Sequence, residues 1–139
     1  MYAPQLFRDR TRPVQVMLGG VVPALIGAVA GVLIGFSSAA YWVVAVLAAL
    51  GAAVAGFEHL DGWGGARRGV LGGAVYGTSL LVTHALVGTE AKVSLGSFPP
   101  LLVVFAAIIG MLLGAAGGRI ARARRERTNG VGVDEPAKP

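Results

Sequence analysis

Three neighbouring polar residues, Glu58, His59 and Asp61, form the densest cluster of chemically competent side chains in the sequence. Carboxylate and imidazole groups are ligands for Mn, Fe or Zn, so the cluster is a candidate divalent-metal site. Its spacing is not diagnostic, because Glu58 and His59 diverge on a helix and a metal site needs about four to six ligands. We therefore predict that the two carboxylates pair with Arg67 and Arg68 across a turn and that no metal binds.

His84 lies inside an apolar segment and is the second candidate for chemistry. An intramembrane histidine that faces other helices can accept a proton or bind a ligand. His84 follows Gly77 by seven residues, so both project from one face of a helix toward a neighbour. At a rise of about 1.5 Å per residue, it lies about 24 Å along the helix from Arg68, near the outer surface. This depth favours an interfacial histidine that is hydrogen-bonded to a backbone carbonyl or to water.

The rest of the sequence contains no recognisable catalytic motif. It has no glycine-rich phosphate loop with its lysine, no nucleophile elbow and no H-E-x-x-H pair. The absence of cysteine excludes disulfides, thiolate metal sites, iron–sulfur clusters and a cysteine nucleophile. We therefore expect that the chain is not an enzyme and that it binds no cofactor.

The composition predicts the environment of the elements that carry these residues. Hydrophobic residues make up 55% of the 139 residues, charged residues make up 14%, and the mean hydropathy is +0.70. An average soluble domain is about 25% charged. So few charged side chains cannot cover the core of a soluble fold, and this excludes both a soluble enzyme and a disordered chain. The sequence therefore predicts an integral membrane protein.

Charged residues divide the chain into apolar segments of membrane-spanning length. No Asp, Glu, Lys or Arg occurs in residues 13–57, 69–89 or 93–118. The first stretch is too long for one span of about 20 residues and suits two, with a break at Ser37 and Ser38. The pattern predicts an all-α integral membrane protein with four transmembrane helices. We place these helices at Val14–Phe36, Ala40–Phe57, Arg68–Gly88 and Pro100–Gly118.

The basic residues predict how these helices are oriented. Of the twelve Lys and Arg residues, only Lys92 lies in a loop on the side opposite the termini. Because short cytoplasmic loops carry the excess of Lys and Arg, we predict that both termini are cytoplasmic. The Arg-, Ala-, Gly- and Val-rich composition is typical of a GC-rich bacterial genome, which indicates a bacterial cytoplasmic (inner) membrane.

Basic and aromatic residues flank the predicted membrane domain, which covers residues 14–118. Residues 1–13 are predicted to be a basic cytoplasmic N-terminus, and residues 119–139 a basic and then disordered cytoplasmic tail. Binding of these charges to anionic inner-leaflet lipids, at about 1 kcal/mol per basic residue, is a simpler explanation than nucleic-acid binding. We predict membrane-surface anchors at Trp63, Arg67, Arg68, Arg119 and Arg122.

Glycine recurs every four residues in three of the predicted helices. Residues four apart share one helical face, so each series forms a flat stripe that another backbone can approach closely. Such packing matters in lipid, where helices have no hydrophobic drive to associate. The glycines predicted to pack helices are Gly27, Gly31 and Gly35, then Gly69, Gly73 and Gly77, and finally Gly110, Gly114 and Gly118.

The two predicted helical hairpins resemble each other weakly in sequence. Residues 25–31 match residues 71–77 at five of seven positions. Because each unit would contain two helices, such a repeat implies two parallel copies related by a pseudo-twofold axis along the membrane normal.

Two functions from different classes fit this sequence. The first is a structural or accessory protein that acts through its helix-packing surfaces, either as a homo-oligomer, most simply a dimer, or as a partner subunit. The second is a small oligomeric transporter or channel for protons, cations or small solutes, gated by His84 or by the Glu58–Asp61 loop. Because small-residue stripes are general packing devices in membranes, the sequence favours the first function.

Overall fold

Four long helices dominate the computed structural model of the chain, which describes residues 6–59 and 61–130. They are α1 Arg12–Phe36, α2 Ser38–Gly56, α3 Gly62–Val87 and α4 Leu101–Gly130. Each contains a stretch that is long and apolar enough to cross a membrane, and no strand occurs among the described residues. The prediction of an all-α protein with four helices of membrane-spanning length is therefore confirmed.

Helix α1 is interrupted by a wider turn near its start. Its first segment, Arg12–Val16, is α-helical and carries Pro13 in the first turn, where a missing N–H costs nothing. Met17–Val21 follows as a π-helix, in which hydrogen bonds join residues five apart instead of four. The α-helix then resumes as Val22–Phe36, with Pro23 in its first turn.

Side-chain caps determine where α2 and α3 begin. Ser37 is extended and its Oγ accepts a hydrogen bond from Ala40 N–H at 3.3 Å, so the first two helices separate where the sequence predicts. Asp61 caps α3 in the same way, because its Oδ1 accepts from Gly64 N–H at 2.7 Å. The predicted start of this helix at Arg68 is therefore wrong, since the cap starts the helix directly after Asp61.

Local chemistry also determines how α3 ends and α4 begins. Gly88 ends α3 in the left-handed conformation, with φ 68°, which glycine adopts without steric strain. Pro99–Pro100 forms the turn before α4, which begins at the next residue. Helix α4 continues past its predicted end at Gly118 as far as Gly130. Residues 131–139 of the predicted disordered tail lie outside the described residues.

Helix α3 contacts all three other helices, and glycines bring it against α4. Gly69 faces the backbone of Gly110, and Gly73 faces that of Ala106. A Cβ atom at either α3 glycine would overlap the facing carbonyl group, well inside the 3.0 Å that real Cβ contacts keep. Gly114 is equally close to the α3 backbone. The two helices therefore touch backbone to backbone.

Helix α1 packs on another side of α3 in the same manner. Gly27 lies against the carbonyl of Tyr76, and Gly31 lies against that of Leu80. The other three glycines of the predicted stripes also have close neighbours, since Gly35 meets Thr89, Gly77 meets Val103 and Gly118 meets Asp61. All nine glycines predicted to pack helices thus make close contacts within one chain.

The buried core is small, and the outward helix faces are apolar. Its buried cluster comprises Ala30, Ile34, Tyr41 and Leu80. No polar or charged residue in the described part of the chain belongs to this core. Six large side chains of α2 are each more than half exposed, namely Trp42, Val43, Val46, Leu47, Leu50 and Val54. Such a surface is typical of helices that lie in lipid.

Candidate functional site

Pro23 leaves two backbone carbonyls of α1 without their usual partners. An α-helix pairs the carbonyl of residue i with the N–H of residue i+4, and a π-helix pairs it with that of residue i+5. Val22 N–H donates to the Met17 carbonyl in the π-helical pattern. Residue 23 is the donor that the Leu18 carbonyl would use in the π-helical pattern and that the Gly19 carbonyl would use in the α-helical pattern. This residue is Pro23, which has no N–H.

Arg68 of α3 supplies donors to both of these carbonyls. Its Nη1 donates to Gly19 O at 3.0 Å, and its Nη2 donates to Leu18 O. A guanidinium group suits two neighbouring acceptors because its donors lie in a fixed plane. Since a buried carbonyl without a partner costs about 1–3 kcal/mol, this contact stabilises the junction between α1 and α3.

The segment before α1 folds over the same arginine. Phe7 lies in the short 3₁₀ turn Phe7–Asp9, and its ring centroid is 4.9 Å from Cζ of Arg68. This geometry is that of a cation–π interaction. The Phe7 ring also stacks on His59, with 5.7 Å between the two centroids, and Phe7 N–H donates to Glu58 O at 3.1 Å. The N-terminal segment is therefore held against the turn after α2.

Glu58 forms an ion pair with Arg10 and not with the arginines of α3. Arg10 Nη2 donates to Glu58 Oε1 at 2.6 Å, and the two side chains are only 30% and 25% exposed. Partial shielding makes such a charge-assisted bond stronger than a surface pair. The predicted pairing of Glu58 and Asp61 with Arg67 and Arg68 is wrong, because Arg10 takes the first carboxylate and Asp61 caps α3.

Five residues therefore tie together three separate parts of the chain. We call them the inner clasp, which comprises Phe7, Arg10, Glu58, His59 and Arg68. His59 has a further contact, with Nδ1 lying 3.2 Å from Ala55 O. Within residues 6–59 and 61–130, no three His, Cys, Asp or Glu side chains come together as metal ligands. The clasp is an arrangement of helix-joining contacts.

The other predicted membrane-surface anchors lie on exposed helix surfaces. Trp63 is 72% exposed in the first turn of α3, and Arg67 is exposed near it. Arg119 and Arg122 are exposed on α4. Arg122 Nε donates to Glu126 Oε1 at 2.7 Å, one helical turn further on. This pair supports the extension of α4 beyond its predicted end.

His84 lies near the end of α3, away from the inner clasp. It is partly buried where α1 approaches α3, and the His84 carbonyl accepts the N–H of Gly88 at 3.1 Å. Its Nδ1 is buried and has no hydrogen-bond partner in the described part of the chain. The structure thus places His84 between two helices, far along α3 from the other three polar candidates.

A cavity of about 940 Å³ lies between the four helices. Arg68 and Glu58 line one end, and residues 94–98 of the α3–α4 connection line the other. The wall between these ends is mostly aliphatic and aromatic, with contributions from Ile26 of α1 and Phe105 of α4. Its volume falls within the range of about 300–1,000 Å³ that is common for ligand pockets. His84 does not line this cavity.

The sequence analysis did not identify Phe7 or Arg10 as site residues. It also did not identify the carbonyls of Leu18 and Gly19, which lack a donor within α1. One signal was readable, because a proline inside an apolar span predicts that the carbonyl four residues earlier loses its donor. Nothing local shows which side chain replaces that donor, since Arg68 is 49 and 50 positions away from its two acceptors. The inner clasp depends on how α1 and α3 pack.

The fold defines the class of this protein as an α-helical bundle with four candidate membrane-spanning helices. No protein-family model, curated protein or solved structure matches the chain. The inner clasp, the cavity and the helix surfaces are therefore the basis on which a function can be assigned.

Proposed function

We propose that the chain is a structural or accessory protein of the bacterial cytoplasmic membrane, which acts as a homo-oligomer or as a subunit of a larger membrane assembly. The observation that carries this proposal is a groove of about 430 Å³ between α1 and α3. Its lining includes Ala24, Ala28, Thr78, Ser79 and Thr83. Small and hydroxyl side chains of this kind are enriched where membrane helices associate.

The groove offers a small-residue surface that the chain's own helices leave open. The glycines of the predicted stripes already contact neighbouring backbones within the chain. Ala24 and Ala28 are four residues apart on α1, so they share one face and leave room for an approaching backbone. A helix from a second copy or from a partner subunit can pack there, with the hydroxyl groups as hydrogen-bond donors.

We propose further that both termini are cytoplasmic and that the inner clasp lies at the cytoplasmic surface. The positive-inside rule supports this orientation, because Lys92 is the one basic residue on the opposite side. There, Lys92 N–H donates to Ile34 O and its Nζ donates to Phe36 O, each at 2.8 Å. The two-hairpin repeat stays a prediction from the sequence.

A transporter or channel is the second candidate, and the 940 Å³ cavity is the observation that favours it. A path for protons or cations needs polar groups or water along its length. The charged residues that line this cavity, Glu58 and Arg68, are both at one end, and His84 does not reach it. The accessory function therefore has the stronger support.

A bulky side chain in the groove is expected to dissociate the oligomer into single chains. Ala28→Phe places an aromatic ring in the groove, whereas Val29→Phe adds similar bulk to a neighbouring α1 position that is 51% exposed and outside the groove. We expect Ala28→Phe to reduce the mass of the purified complex to that of one chain, as measured by light scattering in mild detergent. Val29→Phe should keep the wild-type mass.

A flux assay separates the two candidate functions. Proteoliposomes under a proton or potassium gradient are expected to show no flux above protein-free liposomes, with or without the substitution His84→Ala. Two results together would contradict the accessory function and favour transport. The oligomer would be unaffected by Ala28→Phe, and the proteoliposomes would show a flux that His84→Ala or Glu58→Gln alters.

A further inference from the structure

The large cavity needs an apolar occupant when the chain lies in a bilayer. The cavity of about 940 Å³ is open on one side, where exposed apolar residues such as Val46 and Phe105 line it, so lipid hydrocarbon can enter it from the bilayer. Along α2 the lining runs from Tyr41 to Ala55, a rise of about 21 Å, which is about two thirds of the hydrocarbon thickness of about 30 Å. A long, mostly carbon-lined space of this kind fits an extended hydrocarbon chain better than a compact polar solute.

At the inner-clasp end, Glu58 and Arg68 line the cavity, and Arg10, which does not line it, pairs with the Glu58 carboxylate. Two guanidinium groups, those of Arg10 and Arg68, lie around one carboxylate, that of Glu58, and Arg10 forms the ion pair with it. Arg68 donates to neutral carbonyls through Nη1 and Nη2, and its buried Nε has no hydrogen-bond partner among the residues that the structure describes. A half-buried cation of this kind is stabilised by an anion that approaches from the cavity.

We infer that the cavity binds a membrane phospholipid with a negatively charged headgroup. Its acyl chain fills the space between the helices, and its phosphate lies beside Arg68. This inference stands apart from the accessory function, because it concerns the cavity of about 940 Å³ and not the groove that is lined by Ala24 and Ala28.

The chemistry of the site distinguishes this lipid from other occupants. A helix of a second copy would bring no carboxylate to Arg68, because the apolar segments contain no Asp or Glu. Free phosphate would neutralise the arginine but would leave the apolar wall uncovered. An anionic phospholipid satisfies both ends, and such lipids are abundant in the cytoplasmic leaflet, the side where the basic residues of this chain gather.

The test is a competition between two lipids on the purified full-length protein. Phosphatidylglycerol and phosphatidylcholine with identical acyl chains are added in equal amounts in mild detergent, and bound lipid is counted by native mass spectrometry. We expect bound phosphatidylglycerol to exceed bound phosphatidylcholine about fivefold, which is the selectivity that one basic residue provides. Raising the salt concentration should reduce this ratio.

Two pairs of variants test the binding of the acyl chain and the binding of the headgroup separately. Gly72 lines the cavity and has room for a side chain, with Pro23 Cγ at 3.8 Å from an added Cβ, so Gly72→Leu should displace lipid. Gly20 has nothing within 4 Å and does not line the cavity, so Gly20→Leu should keep it. Arg68→Gln should abolish the headgroup preference, and Arg68→Lys should retain it.

Each part of the inference has a result that overturns it. Equal binding of the two lipids by the wild-type chain would contradict a headgroup site at Arg68. If Gly72→Leu retains as much lipid as Gly20→Leu does, the acyl chain of the lipid does not occupy the cavity. A dimer that Gly72→Leu dissociates, without bound lipid in the wild type, would identify a second copy as the occupant.

Discussion

Gly69→Leu is expected to prevent the four helices from forming a stable bundle. A Cβ atom at this position overlaps the carbonyl group of Gly110, and the obstacle is backbone, which cannot move aside as a side chain can. Overpacking by one or two methylene groups costs about 1–3 kcal/mol in well-packed cores, and a leucine here has to separate α3 from α4 altogether. We expect Gly69→Ala to fall in that range and Gly69→Leu to exceed it.

The matched control for this prediction lies three residues further along the same helix. Gly72 has space for a side chain, so Gly72→Ala should keep or slightly raise stability, since alanine favours a helix over glycine by about 1 kcal/mol, and Gly72→Leu should cost far less than Gly69→Leu. Unfolding of the purified protein by SDS in mixed micelles, followed by circular dichroism, measures the difference. Equal stability of the Gly69 and Gly72 variants would refute the backbone contact between α3 and α4.

Arg68→Met is expected to lower the free energy of unfolding by about 2–4 kcal/mol, because it leaves the carbonyls of Leu18 and Gly19 without donors. It also removes the cation from the face of Phe7. Arg68→Lys should recover only part of the loss, because an ammonium group lacks the planar pair of donors.

The same prediction has a sharper form as a double-mutant cycle with Pro23. Pro23→Ala restores an N–H to α1, which can satisfy one of the two carbonyls from within the helix. The cost of Arg68→Met should then fall by about 1–2 kcal/mol in the Pro23→Ala background. Strictly additive effects would mean that the proline and the arginine do not share these acceptors, and Pro23→Ala alone serves as the reference for the cycle.

The four helices were predictable because lipid imposes a simple rule on sequence. A span has to be long and apolar, so the gaps between charged residues locate the helices without knowledge of their packing. The break at Ser37 follows from local capping chemistry, which a short sequence window contains. The same rule misplaced the start of α3, because the charges at Arg67 and Arg68 hid a helix that its cap begins at Gly62.

The candidate site was not predictable, because its contacts join residues far apart in the chain. Arg10 reaches Glu58 across 48 positions, and the packing angle of the helices decides that they meet. Spacing showed that glycines share helical faces but not that Gly27 would lie against Tyr76 or Gly69 against Gly110. The cavity is likewise a property of how the helices separate, which no single segment encodes.

Cysteine accessibility in intact cells tests the central claim most directly, namely that the chain crosses the membrane four times with both ends inside. The chain contains no cysteine, so single-cysteine variants need no background removal. Ser97→Cys and Thr128→Cys probe two exposed positions on opposite sides. A membrane-impermeant maleimide should label Ser97→Cys in intact cells and Thr128→Cys only after lysis. Labelling of Thr128→Cys in intact cells, or protection of Ser97→Cys there, would contradict this topology.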